Sequence, residues 1–144
     1  MKLQQLSLFL ENKPGVLREP CEALAAAGID LLTMSLADTA QFGILRFIVR
    51  DPVRAKQVLE AAGMVVRMTE VVPVEVDNRP GGLARALVAI EEAGLGVEYM
   101  YDFGAASRGG KAAIVFRFED PDAALASLQA AGVRVLSVEE ILPG

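Results

Sequence analysis

"ENKPG" at residues 11–15 returns as "DNRPG" at residues 77–81, with an acid, Asn, a base, Pro and Gly in the same order. The two copies lie 66 positions apart in the chain. At this spacing further identical residues coincide: Leu17 with Leu83, Gly28 with Gly94 and Met34 with Met100. A repeat at a fixed period is typical of duplicated structural units, so the match predicts a fold made of two similar halves.

The later part of each half matches at a spacing of 69 residues. "DP" at 51–52 falls on "DP" at 120–121, and "AAG" at 61–63 falls on "AAG" at 130–132. The change of spacing lies at "GAASRGG" (104–110), a Gly-rich insertion of the kind that surface loops accept at little free-energy cost. We therefore predict a tandem duplication, with modules at residues 1–72 and 73–144.

Each half predicts the order strand, helix, strand, strand, helix, strand. Apolar alternation indicates strands, and helical spacing of apolar residues between a Pro or Asp start and a Gly stop indicates helices. Predicted strands lie near 6–10, 29–37, 44–49, 64–72, 73–76, 95–103, 112–118 and 133–142. Predicted helices run from Pro14-Gly15 to about 27, from 52 to 62, from 81 to 93 and from 121 to 131.

This order predicts an α+β fold of two ferredoxin-like βαββαβ modules, each with an antiparallel sheet and both helices on one face. Leu45, Phe47 and Val49 alternate and should face the helices. The opposite face mixes apolar residues such as Phe9 and Ile44 with arginines. A half-apolar face of this kind predicts partial cover by another sheet or subunit.

The composition excludes several classes of function. Lys and Arg total 14 against 19 Asp and Glu, and a net charge of -5 argues against nucleic-acid or anionic membrane partners. No apolar run is long enough to span a bilayer. The chain has no His and a single cysteine, Cys21, which argues against His-based catalysis, ordinary zinc sites and an internal disulfide. We expect a cytoplasmic protein without catalytic residues, metal or cofactor.

The repeated loop lies where the first strand of each half meets its first helix. A helix N-terminus presents unpaired N–H groups and a partial positive charge, which suits a carboxylate guest. The side-chain oxygen of Asn12 or Asn78 could accept a hydrogen bond from an ammonium group. The loop thus has contacts for both ends of a free amino acid, although Pro-Gly after a strand is also an ordinary turn that starts a helix.

The duplicated unit with "N-x-P-G-x-L" at its first turn resembles the ACT domain family, over almost the whole chain. The signature residues in this sequence are Asn12, Pro14, Gly15, Leu17, Asn78, Pro80, Gly81 and Leu83. The resemblance implies modules that pair side by side and bind amino acids or other small effectors between a first loop and the second strand of a neighbouring module.

By that resemblance, the ligand contacts would come from both loops and both second strands. The first set is Asn12, Pro14, Gly15, Val16 and Leu17 with Thr33, Met34 and Ser35. The second set is Asn78, Pro80, Gly81, Gly82 and Leu83 with Tyr99, Met100 and Tyr101. The second strands differ, so we expect two non-equivalent sites. The expected protein is a regulatory homodimer with an amino-acid effector and a regulated enzyme in trans.

One residue departs from the expected pattern. Pro20 falls inside the predicted first helix, where a proline removes a hydrogen bond and costs about 3 kcal/mol in a regular helix interior. The corresponding residue of the second half is Ala86. We therefore expect the first helix to be bent or to start late.

Two other functions fit the same frame. A hydrolase of the acylphosphatase type would use an Arg in a phosphate-binding loop and an Asn to place water, as Arg79 and Asn78 could; the first copy has Lys13, which lacks the bidentate geometry of Arg. A second alternative is a protein-interaction module that binds no ligand. RNA binding on this frame needs exposed aromatic residues and a basic field, which the acidic composition disfavours.

Overall fold

The computed structural model describes residues 2–38 and 41–142. The chain divides into two units, the first formed by Gln4–Thr69 and the second by the residues from Glu70 onward together with those before Gln4. Lys2 belongs to the second unit, where its ammonium group lies 2.9 Å from Glu70 and 2.6 Å from Asp122. The hydrogen bonds to Asp122 and then Glu70 raise the pKa of Lys2 to about 12. The module boundary between residues 72 and 73 stays a prediction.

The first unit follows the predicted order of elements. Its elements are β1 (Leu3–Glu11), α1 (Arg18–Ala26), β2 (Thr33–Asp38), β3 (Phe42–Ile48), α2 (Pro52–Ala61) and the start of β4 (Val66–Asp77). β3 lies between β1 and β2 and pairs antiparallel with both. β2 is the outer strand of this sheet.

The second unit repeats this arrangement. It contains the rest of β4, α3 (Gly82–Glu92), β5 (Val97–Asp102), β6 (Lys111–Phe118), α4 (Pro121–Ala130) and α5 (Val138–Ile141). β6 lies between β4 and β5 and pairs antiparallel with both, and β5 is the outer strand. The first unit has the full βαββαβ order, and in the second the bridge at Val135 stands in place of the last strand. The predicted α+β class with ferredoxin-like modules is confirmed.

The two hydrophobic cores show the duplication residue by residue. In the first unit the core is Leu6, Leu8, Leu24, Leu45, Phe47, Val49, Ala55, Leu59 and Val66. In the second unit it is Val72, Val74, Val76, Ile90, Phe116, Phe118, Ala124 and Leu128. Phe47 and Phe116 occupy the same position of the repeat, as do Leu59 and Leu128. Each core fills the space between a sheet and its two helices, which is the face predicted for Leu45, Phe47 and Val49.

Two predicted strands differ from the structure. The strands expected at 64–72 and 73–76 are one continuous strand, β4, because Pro73 fits an extended backbone and no turn residue precedes it. The strand expected at 133–142 is wrong. Only residues 134–136 pair with β4, through the bridge between Val74 and Val135, and the chain then forms α5.

A capping box explains α5. The Ser137 hydroxyl accepts a hydrogen bond from the Glu140 N–H, and the Glu140 carboxylate accepts one from the Ser137 N–H. This reciprocal pair satisfies backbone donors that a new helix would leave unbonded. The "SVEE" spacing at residues 137–140 carries this signal, and the corresponding positions of the first half lack it.

The Gly-rich insertion at 104–110 packs against the second unit. Its 3-10 turn, Gly104–Ala106, contacts β6 and α5, and Ala106 is buried. Phe103, just before the turn, and Ile141 of α5 are fully buried. The insertion and the C-terminal helix are therefore part of the packing of the second unit, and cover of the sheet by another sheet or subunit stays a prediction.

The start of α2 is as predicted. The Asp51 side chain accepts a hydrogen bond from the Arg54 N–H, and Pro52 occupies the first turn. Asp120 and Pro121 do the same for α4, where the Asp120 carboxylate accepts from the Ala123 N–H. Every helix in the described part of the chain is too short or too polar to cross a bilayer.

We expect Asp51→Ala to lower the free energy of unfolding by about 1 kcal/mol, because the Arg54 amide loses its acceptor. Glu60→Ala, on the exposed side of the same helix, should change it by only about 0.5 kcal/mol. Urea denaturation of both variants checks this. Equal losses in the two variants would contradict the capping role of Asp51.

Candidate functional site

The first repeated loop begins where β1 ends at Glu11. The Asn12 N–H donates to the Gln41 carbonyl at 3.0 Å, which fixes the entry to the loop. Pro14 and Gly15 then occupy the centre of a turn closed by the Val16 N–H bonding the Lys13 carbonyl at 3.3 Å. Gly15 has φ +88°, a conformation that L side chains rarely adopt. Pro followed by Gly with a positive φ is the pattern of a type II turn.

The second repeated loop has the same turn. The Asn78 N–H donates to the Gly110 carbonyl at 2.8 Å, and the Gly82 N–H donates to the Arg79 carbonyl at 2.9 Å. Gly81 has φ +86° and ψ -8°, which fits the third position of a type II turn with Pro80 at the second. The repeated Pro-Gly is therefore needed for the backbone path in both copies.

The two prolines do not start the helices, contrary to the sequence-based expectation. α1 begins at Arg18 and α3 at Gly82, after the turn in each case. The late start of α1 places Pro20 in the first helical turn, where backbone N–H groups have no partner within the helix. Pro20 therefore loses no helical hydrogen bond there, and the expected late start is confirmed. Its ring is buried in line with Leu24, whereas Leu17 is exposed and Cys21 half-buried.

The helices next to the repeated loops differ from the other long helices in how they begin. α2 and α4 have Asp side chains as caps, but α1 and α3 have no side-chain cap. Asn12 and Asn78 are exposed, and their side chains form no hydrogen bond to the described residues. No side chain therefore competes with a ligand for the backbone donors that remain at the start of α1 and α3. Pro20 supplies no donor there, and the Gly82 N–H is already bonded to the Arg79 carbonyl.

A cavity of about 530 Å³ lies over the first loop. It is lined by Leu10, Glu11, Asn12, Lys13, Pro14, Gly15, Leu17, Leu36 and Gly43. Four of the candidate residues, Asn12, Pro14, Gly15 and Leu17, lie together here. The apolar wall formed by Leu10 and Leu36 is not among the predicted contacts, although Leu36 follows Met34 at the two-residue spacing of a strand.

The other candidates of the first set lie outside this lining. Met34 is on the same face of β2 as Leu36 but is 54% exposed, and Thr33 and Ser35 are on the opposite face. Val16 lines a separate cavity of about 500 Å³ with Leu8 and Phe9.

In the second set, Asn78, Pro80 and Gly81 lie in the loop before α3, and the other candidates lie on α3 and β5. Gly82 is buried at the start of α3, and Leu83 is half-buried beside it. On β5, Tyr99 is opposite Arg117 and Tyr101 is opposite Val115, so the two phenols share a face as expected. Met100 is opposite Phe116 on the helix side of the sheet and is 41% exposed.

Gly82 makes the two loops different. A Cβ atom at Gly82 would lie 1.8 Å from the Asp77 carbonyl oxygen, so only glycine fits. The corresponding residue of the first half is Val16, and α1 there starts two positions later in the repeat. The close contact with Asp77 accompanies the earlier start of α3.

The charges at the two loops also differ. In the first loop, Lys13 pairs with Glu11 at 2.8 Å. Their hydrogen bond lowers the pKa of Glu11 and raises the pKa of Lys13. In the second loop, Asp77 accepts from Lys111 as well as from Arg79 at 3.3 Å and Arg85 at 3.4 Å. The hydrogen bond from Lys111 is the main cause that lowers the pKa of Asp77.

No three side chains of His, Cys, Asp or Glu within residues 2–38 and 41–142 lie close enough together to hold a metal ion. The groups available for a ligand at the loops are therefore backbone amides, Asn side chains and the charged residues just described.

Comparison with known proteins agrees with the duplicated fold. The family model described as "ACT domain pair" matches residues 1–138. None of the curated proteins matches the chain. The structure of protein BT0572 from Bacteroides thetaiotaomicron is similar over 98% of this chain and 96% of that one, with 38% identity and a TM-score of 0.89.

Two more distant structures share the fold. The ligand-free regulatory subunit of aspartate kinase from Thermus thermophilus is 21% identical over 89% of this chain and 91% of that one, with a TM-score of 0.60. The regulatory subunit of aspartate kinase from Thermus flavus is 18% identical over 91% of this chain and 92% of that one, with the same TM-score.

Proposed function

Because the chain belongs to the ACT domain pair family, we propose that it is a non-catalytic regulatory protein whose two repeated loops bind a small effector, an amino acid. The observation that carries this proposal is the contrast among the helix starts. Asp side chains cap α2 and α4, whereas α1 and α3, next to the repeated loops, have no side-chain cap. Free amide donors at a helix start favour a carboxylate.

The first loop matches the three parts of an amino acid. The amides at the start of α1 suit the carboxylate, and the exposed Asn12 oxygen suits the ammonium group. Leu10, Leu17 and Leu36 line the cavity and would contact a ligand side chain. The expectation that a second strand of a neighbouring module completes each site stays a prediction.

A regulatory role needs a second state. A ligand shifts an equilibrium only by the difference between its affinities for the two states. The regulatory subunits of aspartate kinase share this fold, which supports an enzyme partner in trans for this chain as well. We place such a protein in the cytoplasm.

A homodimer would supply a packing that a ligand can shift. Met34 and Leu36 are exposed on β2, the outer strand of the first unit, and Phe9 is 63% exposed on β1. An outer strand with exposed apolar side chains is a typical place for a second copy to pair. Light scattering after size-exclusion chromatography measures whether the chain has the mass of two copies.

We expect Asn12→Ala to weaken amino-acid binding at least about tenfold, because the ammonium group of the ligand would lose its charged hydrogen bond. Calorimetry of the unchanged protein with a panel of the common amino acids identifies the ligand and measures its affinity. The same measurement on the variant then gives the loss. Gln129→Ala, on the exposed side of α4, should bind as the unchanged protein does.

No heat and no thermal shift with any amino acid of the panel would contradict the proposed function. An acylphosphatase assay on the same preparation separates it from the hydrolase alternative, which predicts turnover that Arg79→Ala abolishes.

A further inference from the structure

The summed charge of four corresponding positions is positive in the second loop and negative in the first. In the second loop these positions hold Asp77, Arg79, Arg85 and Lys111, which sum to +2. In the first loop they hold Glu11, Lys13, Glu19 and Phe42, which sum to -1. The correspondence extends to strand register, since Glu11 is opposite Phe42 and Asp77 is opposite Lys111.

One carboxylate holds all three cations of the second loop. Arg79 and Arg85 both approach the same oxygen of Asp77, at 3.3 and 3.4 Å. Charge-assisted N–H···O contacts are usually about 2.7–2.9 Å long, so these two guanidinium groups are held loosely. Their side chains are 68% and 55% exposed, and they can turn to another anion.

The charged residues around the adjoining cavity, which Lys111 also lines, leave this excess unchanged. Arg134 pairs with Glu75 and Glu140, and Arg108 shares a cavity with both acids. These four residues sum to zero. The excess of +2 therefore remains around Asp77, although the whole chain has a net charge of -5.

The cations also lie at the turn itself. The terminal nitrogen of Arg85 is 3.0 Å from the position that a Cβ atom would take at Gly81. The guanidinium group thus covers the turn that follows Asn78, and a ligand at this turn would lie within its reach.

We infer that the second loop selects an amino acid with an acidic side chain, such as aspartate or glutamate. This rests on the proposed function and adds the ligand class. A neutral amino acid is a zwitterion and leaves the excess of positive charge unmatched. A second carboxylate offsets one unit of this excess, and its two oxygens match the fork geometry of Arg79 or Arg85.

Calorimetry with glutamate against glutamine, and aspartate against asparagine, isolates the side-chain charge. We expect each acid to bind at least tenfold tighter than its amide at low salt, with a difference that shrinks as salt is added. Arg85→Glu, which places the acid of the first half at this position, should remove the preference, and Arg79→Gln should reduce it. Arg67→Glu makes the same change of net charge at an exposed position of β4 and should keep the preference.

The outcomes separate the two proposals. Binding of glutamine and asparagine as tight as that of the acids would overturn the acidic assignment and leave effector binding intact. The absence of binding by every amino acid would overturn both. Inorganic phosphate serves as a further probe, and binding of phosphate without binding of glutamate would also overturn the acidic amino-acid assignment. A thermal melt of each variant shows that it is folded.

Discussion

We expect Gly82→Ala to lower the free energy of unfolding by at least about 3 kcal/mol. The new Cβ atom would lie 1.8 Å from the Asp77 carbonyl oxygen and 2.8 Å from its carbonyl carbon. Both are backbone atoms at the end of β4, so a change of side-chain rotamer cannot relieve the overlap. The start of α3 would have to move away from the strand. Guanidinium denaturation measures the loss.

Gly96→Ala is the matched control for this prediction. Gly96 lies in the same unit and has no positive φ, and a Cβ atom added to it would meet no atom within 4 Å. The control should change the free energy of unfolding by only about 0.5 kcal/mol. If Gly82→Ala were as stable as Gly96→Ala, the result would contradict the described close contact between the start of α3 and the end of β4.

Phe116→Ala should cost about 3–5 kcal/mol of unfolding free energy. Phe116 is fully buried on β6, and its ring stacks on that of Phe118 with centroids 5.6 Å apart. Removing the ring leaves a cavity between the sheet and its helices that neighbouring side chains fill only in part. Thermal and urea unfolding measure the change.

Phe9→Ala gives the comparison, because the Phe9 ring is 63% exposed. At a protein concentration where the chain is monomeric, we expect a change of only about 0.5 kcal/mol. A cost for Phe9→Ala equal to that of Phe116→Ala under those conditions would contradict the described burial of the two rings.

The repeat predicts the fold because the core positions of one half have partners in the other. Phe47 and Phe116, for example, lie on equivalent strands at the same depth. The end of the chain breaks this symmetry. Ser137 and Glu140 form a capping box that has no equivalent in the first half, so local helix formation replaces the expected strand.

The sequence predicts which residues of the first loop lie together, but it does not predict the residues that surround them. Asn12, Pro14, Gly15 and Leu17 line one cavity because a short loop keeps neighbours in sequence close in space. Leu10 and Leu36 enter the same cavity through tertiary packing, which loop composition does not reveal. The prediction that the proline of Pro-Gly starts each helix is wrong, because the same dipeptide suits both a helix start and a type II turn.

The contact of Asp77 with Lys111 shows a second limit of sequence reasoning. The two residues are separated by α3 and β5 and meet only when β4 pairs with β6 in the observed register. In the sequence alone Lys111 therefore looks like an ordinary surface charge, although it completes the cluster that distinguishes the second loop from the first.

Amide NMR of the isotope-labelled chain, titrated with the amino acid that calorimetry identifies, tests the central claim most directly. We expect saturable shifts concentrated at the amides of residues 15–18 or 81–84, next to helix starts without side-chain caps. The signals of the Arg54 and Ala123 amides, which already bond to Asp51 and Asp120 at the start of α2 and α4, should not shift. Shifts confined to other parts of the chain, with both Pro-Gly turns unaffected, would contradict the claim.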